Sequence, residues 1–392
     1  MHRWLALALL AATPLALAAA PSDGWPHAQP EAVGLAADAL ARLDDAMSDG
    51  TIPLADSLLV ARCGKVVYER RYAHDYGRLF HAEAHRRGPL NAHLTGPYNY
   101  FDPAWHPYFH GTDLHSMQSV SKSVTAAIVG TAIQRGDFKA SLDTPVLKYF
   151  DTTKVQHVDA AKRRMTLRHL LTMTTGLDWN EDLPYDDPKN GSSLMEAGRD
   201  WIQFVIDQPM AHEPGTTFAY SSGAAELWAH IFQLETGQDI EQYARRHLFA
   251  PLGITRYHWK RTPMGVVDTE GGLYLSTADM AKLGELYLRD GVWKGQRVLA
   301  PGWVHDSVSP QVDATFGWKY GYQWWLLPYG TEGRLAWAAD GIGGQYVIVL
   351  PEDDLVIAVT AWHILDDKDY IEKVLERIRP GIQHHRCAPD DA

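Results

Sequence analysis

Ser119-Val120-Ser121-Lys122, followed by Val124-Thr125-Ala126-Ala127-Ile128-Val129-Gly130-Thr131-Ala132-Ile133, is the stretch on which the reading of this chain turns. Nowhere else in the 392 residues does a lysine follow a serine at a spacing of three. The small, apolar residues behind the tetrad predict a buried helix that ends near Gly136. A serine in the first turn of that helix has the lysine one turn further along on the same face. The helix N-terminus adds backbone N–H donors and the positive end of the helix dipole. A hydroxyl, an amine that can take its proton and donors for an oxyanion are the parts of a serine nucleophile. The same four residues also fit a plain helix cap with a solvent-facing lysine, so the rest of the chain has to decide.

Outward from this helix, Ser57-Leu58-Leu59-Val60-Ala61-Arg62 and Lys65-Val66-Val67-Tyr68-Glu69-Arg70 read as a β-hairpin turned at Cys63-Gly64. From 116 to about 255 the pattern is helical, with Ala224 to Thr236 closed by Gly237, and a further helix runs from Thr277 to Leu288. Strands return at Tyr320-Gly321-Tyr322-Gln323-Trp324-Trp325, at Gln345 to Leu350 and at Asp354 to Thr360, the last two joined by Pro351-Glu352-Asp353. A final helix, Asp369 to Ile378, stops at Pro380-Gly381. This order predicts an α/β (α+β) fold, an antiparallel sheet flanked by helices with a large all-α insertion. Residues 30–115 and 260–380 form the discontinuous sheet domain in this reading, 116–259 the helical domain and 381–392 a C-terminal tail. The site is expected in the crevice between the two domains.

The composition is that of a globular protein, 46% hydrophobic and 21% charged. A formal charge of −12 without any basic tract argues against a nucleic-acid partner. At the N-terminus, His2 and Arg3 precede the apolar run Trp4 to Leu17, and Ala16-Leu17-Ala18 offers an A-x-A cleavage site. Residues 1–20 therefore read as a secretory signal, cut after Ala18 rather than after Ala20, where Pro21 would follow. A retained anchor is the alternative, although the run is short for a spanning helix. The mature protein is expected in the periplasm or outside the cell, without stable membrane insertion. Cys63 and Cys387 can pair in such a compartment or remain thiols. Seven histidines (His74, His81, His85, His93, His106, His110 and His115) fall in an aperiodic stretch. His81 and His85 have the i,i+4 spacing of metal ligands, but without an H-E-x-x-H motif the stretch reads as a solvated loop and no metal or cofactor is expected.

Two further segments carry chemistry. In Phe218-Ala219-Tyr220-Ser221-Ser222-Gly223, a tyrosine stands at a turn before a helix and can put its hydroxyl into a cleft. Beside a lysine it could shuttle a proton, since a neighbouring ammonium favours phenolate; otherwise it is a core aromatic with one hydrogen bond. In Asp340-Gly341-Ile342-Gly343-Gly344-Gln345, glycines just before a strand let a ligand approach the backbone, or make a simple turn.

Taken in order, these segments resemble the serine β-lactamase, D-alanyl-D-alanine peptidase and esterase superfamily, and within it the class C-like hydrolases that include the aminohexanoate-oligomer hydrolases. The similarity runs from about Ser57 to Thr360. The family's S-x-x-K falls on Ser119 and Lys122, its Y-x-N on Tyr220, Ser221 and Ser222, and its K/H-T/S-G on Ile342, Gly343 and Gly344. Leu170 to Leu177, Gly271 to Ser276 and Tyr320 to Trp325 also look like family segments. Two departures stand out. Ser222 replaces the motif asparagine, leaving a hydroxyl to reach Lys122 or substrate. Ile342 replaces the lysine or histidine that favours a β-lactam carboxylate.

The resemblance implies a β-lactamase/transpeptidase-like fold and acyl transfer without a cofactor. Ser119 would be the nucleophile and Lys122 with Tyr220 would move its proton, with the backbone N–H groups of Ser119 and Gln345 holding the oxyanion. Ser222, Ile342, Gly343 and Gly344 would line the substrate, as would Tyr185, which matches a tyrosine in the substrate loop of the aminohexanoate hydrolases. His363 reads as a surface residue. The expected partner is a small ester or amide; a D,D-peptidase or β-lactamase is the alternative, and a catalytically silent binding module the non-enzymatic one. In the resembling fold the C-terminal helix packs on the sheet that holds the first hairpin, which would let Cys63 and Cys387 meet.

Overall fold

The computed structural model describes residues 24–85, 112–330, 333–366, 368–384 and 387. The expected signal segment and His93, His106 and His110 lie outside the described residues. Strands β1 (Ala55–Arg62) and β2 (Lys65–Arg71) form the expected hairpin, with both Cys63 and Gly64 at positive φ (53° and 69°) in its turn. β1 also pairs antiparallel with Leu355–Ala361, the last strand among the described residues, so strands far apart in the sequence adjoin near one edge of the sheet. Two-residue strands β3 (His115–Ser116) and β4 (His258–Trp259) flank β5 (Leu273–Leu275) in a small separate sheet. The main sheet continues with β6 (Val312–Asp313), β7 (Lys319–Tyr320), β8 (Trp325–Pro328), β9 (Leu335–Gly341), β10 (Gln345–Leu350) and β11 (Leu355–Ala361). Its order is β2-β1-β11-β10-β9-β8-β7-β6, antiparallel throughout.

The central strands β1, β10 and β11 are buried at every position because both faces of the sheet are covered. On β11, Leu355, Ile357 and Val359 pack into one core and Val356 and Ala358 into the other; Ile348 and Leu350 of β10 oppose Val347 and Val349 in the same way. The first core is closed by helix α1 (Ala37–Ser48) and by the C-terminal helix. The second holds α2 (Val120–Arg135), α3 (Leu167–Leu171), α4 (Gly191–Ala197), α5 (Trp201–Ile206), α6 (Ser222–Thr236) and α7 (Thr277–Leu288). The C-terminal helix is α8 (Ile371–Ile378). α7 lies directly on the sheet, and Gly284 permits that approach: a Cβ there would stand 2.7 Å from Val356 Cγ1. α2 is buried from Val120 to Ala132 and ends where Gly136 turns left-handed (φ 72°), as its sequence predicts.

The expected single strand Tyr320–Trp325 is instead two, β7 and β8, with the chain reversing through Gly321–Trp324. The backbone there bonds outside the sheet: Tyr322 N donates to Ser307 O (3.0 Å), and Gln323, at φ 61°, donates to Leu171 O (3.0 Å). A residue larger than glycine at 321 would collide with the Ser307 carbonyl. Leu335–Gly341 was legible only as a glycine turn at its end, yet it is a seven-residue strand paired on both sides. The expected loop after β2 contains short helical segments at Tyr76–Leu79 and His81–Ala84, and the Tyr76 hydroxyl is seated on Asp56 (2.7 and 2.8 Å).

Cys63 and Cys387 are disulfide-bonded across 324 residues of chain. The tail is held beside them by Arg62, which donates to Gln383 O (2.9 Å) and Asp353 O (3.0 Å) and also to Gly34 O. Closing so long a loop removes denatured-state entropy equivalent to at most about 5 kcal/mol. The protein, denatured without reductant, should therefore show no titratable thiol, and Cys387→Ser should lower the thermal midpoint. Two free thiols per chain, or an unchanged midpoint, would contradict this.

Candidate active site

Ser119 occupies the N-cap of α2 with helical backbone angles (φ −64°, ψ −9°) and is half-buried. The residue before it, Gln118, is held in the left-handed region at φ 48°, a conformation that costs a non-glycine residue of order 1 kcal/mol or more. Its surroundings hold it there. The Gln118 amide donates to Ser116 Oγ (2.9 Å), and its carbonyl accepts from Ser121 N (2.9 Å). β3, which leads into this turn, is anchored by His115, whose Nε2 lies 2.8 Å from Asp56 Oδ2 in the core.

Lys122 is 1% exposed, and its ammonium makes three contacts. Nζ donates to Ser119 Oγ (2.8 Å), to the Glu270 carbonyl (2.8 Å) and to Glu270 Oε2 (3.2 Å). Three N–H donors thereby meet three acceptors. Glu270 lies in the turn that enters β5, and the same turn is stitched to α2 on either side of the lysine. Ser121 Oγ accepts from Leu273 N (3.2 Å) and Thr125 Oγ1 donates to Thr269 O (3.2 Å). Behind Glu270 stand more buried acids. Glu196 of α4 shares a hydrogen bond with it, Glu226 of α6 accepts from Thr269 N (2.8 Å), and Asp268 faces Lys260 Nζ at 3.5 Å. Burial first, and then the negative charge of Glu270, pushes Glu196 well above the usual carboxylate range. Burial followed by Asp268 and Glu270 does the same to Glu226, and burial lifts Asp268 to about 6 against the pull of Lys260. Glu270 moves the other way: burial pushes it up, but Lys122, the Glu196 hydrogen bond and Lys260 together hold it below its ordinary value.

Tyr220 sits in the turn before α6. Its ring stacks on Trp325 (centroids 5.5 Å apart) and meets Tyr320 edge-on (6.5 Å), with Lys122 Nζ 5.3 Å from its centroid. Burial and the charge of Glu181 push its hydroxyl well above the ordinary phenol value, while a hydrogen bond with Ser119 pulls the other way. Tyr220 therefore rests as a phenol. The expectation that the Lys122 ammonium would favour phenolate is corrected: desolvation and the nearby carboxylate outweigh it.

Glu181 went unread in the sequence. It accepts from Ser222 N (2.7 Å) and Trp179 Nε1 (2.8 Å) on Oε2, and from Ser222 Oγ (2.6 Å) and Tyr185 Oη (3.1 Å) on Oε1. Ser222 thus spends its hydroxyl on Glu181 rather than reaching Lys122. Tyr185 is not an exposed turn residue, since its hydroxyl is fixed on the same carboxylate and its carbonyl accepts from Ser193 Oγ (2.5 Å). Burial lifts Glu181 above its ordinary value, against the opposing pull of Lys122 and the two Ser222 bonds. Four donors aimed at its two oxygens favour the ionised form.

Ile342, Gly343 and Gly344 form the turn between β9 and β10, with φ of 85° and 95° at the two glycines. Gln345 opens β10 opposite Gly341. A Cβ on Gly341 would lie 3.0 Å from both Gln118 Cβ and Gln345 Cβ and would collide with the Met117 carbonyl, so the chain entering Ser119 lies against the start of β10. His363 is not on the surface. It is 4% exposed, donates its backbone N–H to Gly343 O (3.2 Å) and faces Asp366 through Nδ1 (3.1 Å), and burial holds its imidazole below the ordinary value. The His81 and His85 rings stack at 4.4 Å, and no metal-binding group of three or more His, Cys, Asp or Glu occurs among the described residues. A cavity of about 730 Å³ lined by Trp25, Lys65, Lys282, Glu285, Arg289 and Trp293 contains none of the site residues, so chemistry rather than volume locates the site. The only sequence signal for Glu270 was its position directly before Gly271-Gly272; Glu196 and Glu181 had none beyond acids next to apolar or aromatic neighbours.

A family model described as Beta-lactamase matches residues 42–363. A 6-aminohexanoate-dimer hydrolase of Paenarthrobacter ureafaciens is 26% identical over 64% of this chain and 67% of its own. A monacolin J acid methylbutanoyltransferase of Aspergillus terreus is 31% identical, but over only 37% of each chain. Among solved structures, a penicillin binding protein from Bacillus halodurans superposes with a TM-score of 0.59 at 19% identity, over 86% of this chain and 98% of that one.

The contact at Gly341 gives a test of how the nucleophile is seated. Gly341→Val should destabilise the protein by about 1–3 kcal/mol, as overpacking does, because Met117 and Gln118 must move. Thermal denaturation measures this; an unchanged midpoint would mean that the approach of β9 to the Ser119 turn is loose.

Proposed function

The chain belongs to the Beta-lactamase family, and from that premise we propose that it is an exported serine hydrolase that cleaves an ester or amide bond through an acyl-enzyme on Ser119. One observation carries the reading: the buried Lys122 Nζ and the Ser119 hydroxyl are in hydrogen-bond contact at 2.8 Å, with the Tyr220 ring 5.3 Å from the same nitrogen. A capped helix with a solvent-facing lysine would not bury that lysine.

In the proposed reaction Lys122 first gives up a proton, Ser119 Oγ attacks the carbonyl carbon as its own proton passes to the free amine of Lys122, and the Lys122–Tyr220 pair returns that proton to the leaving alcohol or amine. The N–H groups of Ser119 and Gln345 are assigned to the developing oxyanion. Water then attacks the acyl-enzyme and frees Ser119. Ile342 places no cation beside the substrate, and Glu181 adds a carboxylate to the cleft, so both disfavour a substrate carboxylate and support an ester or amide over a β-lactam. The relatives named as a 6-aminohexanoate-dimer hydrolase and as a methylbutanoyltransferase support acyl chemistry of this kind. Tyr185, Ser222, Gly343 and Gly344 are assigned to the substrate wall. Export is supported by the leader-like residues 1–20 and by the disulfide, a bond of oxidising compartments.

An activated ester or fluorophosphonate should add its acyl or phosphonyl mass to the wild type and not to Ser119→Ala. An adduct that persists in the variant removes Ser119 from the role. Lys122→Ala and Tyr220→Phe should each slow acylation by at least about 100-fold, measured as the burst rate with a p-nitrophenyl ester. In kcat/KM, short-chain p-nitrophenyl esters should exceed a cephalosporin, and the opposite order would overturn the substrate class.

A further inference from the structure

We propose that Glu270 is a positioning residue for the proposed Ser119 chemistry: its carboxylate orients Lys122 and takes the lysine's proton, delivering a neutral amine to the Ser119 hydroxyl without exchange with solvent. This rests on the reading of Ser119 as nucleophile.

The argument starts from donor arithmetic. All three Nζ–H bonds of Lys122 are engaged, so the resting lysine has no lone pair with which to accept the serine proton. One proton must leave first. Lys122 is 1% exposed and Glu270 5%, which leaves little access to water. Of the three acceptors around Nζ, the serine hydroxyl and the backbone carbonyl are far too weakly basic to hold a proton; the Glu270 carboxylate, 3.2 Å away, is not. The step is an exchange within the pair. An Nζ–H bond breaks, an Oε2–H bond forms, and a buried ion pair becomes a neutral amine and a neutral acid. Desolvation favours the neutral pair, against the pull of Lys122, Glu196 and Lys260 that holds the resting Glu270 ionised. Ser119 then gives its proton to Nζ as Oγ attacks.

The groups around Glu270 fit this role. Lys122 faces it from α2, Glu196 from α4, Glu226 from α6, and Asp268 and Lys260 from the chain around the turn into β5. Glu181, Tyr185 and Tyr220 act on it from the loops before α4 and α6. Glu196, pushed well above the usual carboxylate range by burial and by the charge of Glu270, disfavours a second negative charge beside Glu270. A single charge balances Lys122. A second would lock the lysine as an ammonium.

The test is the pH profile of Ser119 acylation, read as the p-nitrophenolate burst with p-nitrophenyl acetate between about pH 5.5 and 8.5. The wild type should be nearly level, because the proton moves within the pair. Glu270→Gln, which has nowhere to put that proton except solvent, should climb by about tenfold per pH unit on the acid side. Glu196→Gln still offers a donor to Glu270 but holds no proton of its own, and it should keep the level profile. A level profile in Glu270→Gln, a steep one in Glu196→Gln or a steep one in the wild type each overturns the proposal. The last two decide it even if Glu270→Gln does not fold. Absence of any wild-type adduct on Ser119 would instead sink the underlying functional reading.

Discussion

An ammonium group buried to 1% of its surface is the constraint around which the centre of this protein is arranged. A buried charge must be paired and fully hydrogen-bonded or it will not stay buried as a charge. Lys122 meets that demand with a serine hydroxyl, a carbonyl and a carboxylate, the last two from one residue. Glu270 can supply both only because its turn is fastened to α2 through Ser121 and Thr125. The requirement then passes outward. A carboxylate in that position needs its own partner, which Glu196 provides, and the surrounding acids are held neutral or paired with Lys260.

A second carboxylate, Glu181, organises the other wall. Its four donors come from the loop before α4 and from the first turn of α6, so one side chain ties those segments together and fixes the position of Ser222, two residues beyond Tyr220. A serine at 222 is well suited to this, since its short hydroxyl and its own N–H reach the same carboxylate.

The parts of the structure legible in the sequence were those decided by local physics. The α2 pattern is apolar and uninterrupted until Gly136, which takes the left-handed conformation that the helix end requires. The hairpin at Cys63-Gly64 and the run Gln345–Leu350 read correctly because alternation and β-branched residues leave little else for them to be. The stretch Tyr320–Trp325 misled for the same reason. Its composition is that of a strand, but the carbonyls of Ser307 and Leu171 claim its backbone N–H groups from outside the sheet, and nothing local announces them. His363 looked like a strand-end surface residue and is buried because the Gly343-Gly344 turn folds over it.

The sequence by itself determined the long helices and most central strands, the sheet-and-helix class and the candidates Ser119, Lys122 and Tyr220, because spacing along a helix and glycine at its end are properties of neighbouring residues. The tertiary structure alone decided how those candidates are charged and what they touch. Lys122 and Glu270 are 148 residues apart, and Ser222 and Glu181 are 41 apart. Burial, the main force on every shifted group in the site, does not exist until the chain has closed around it. A proton's resting place depends on desolvation and on charges a few ångströms away, and no pattern in a linear sequence specifies either.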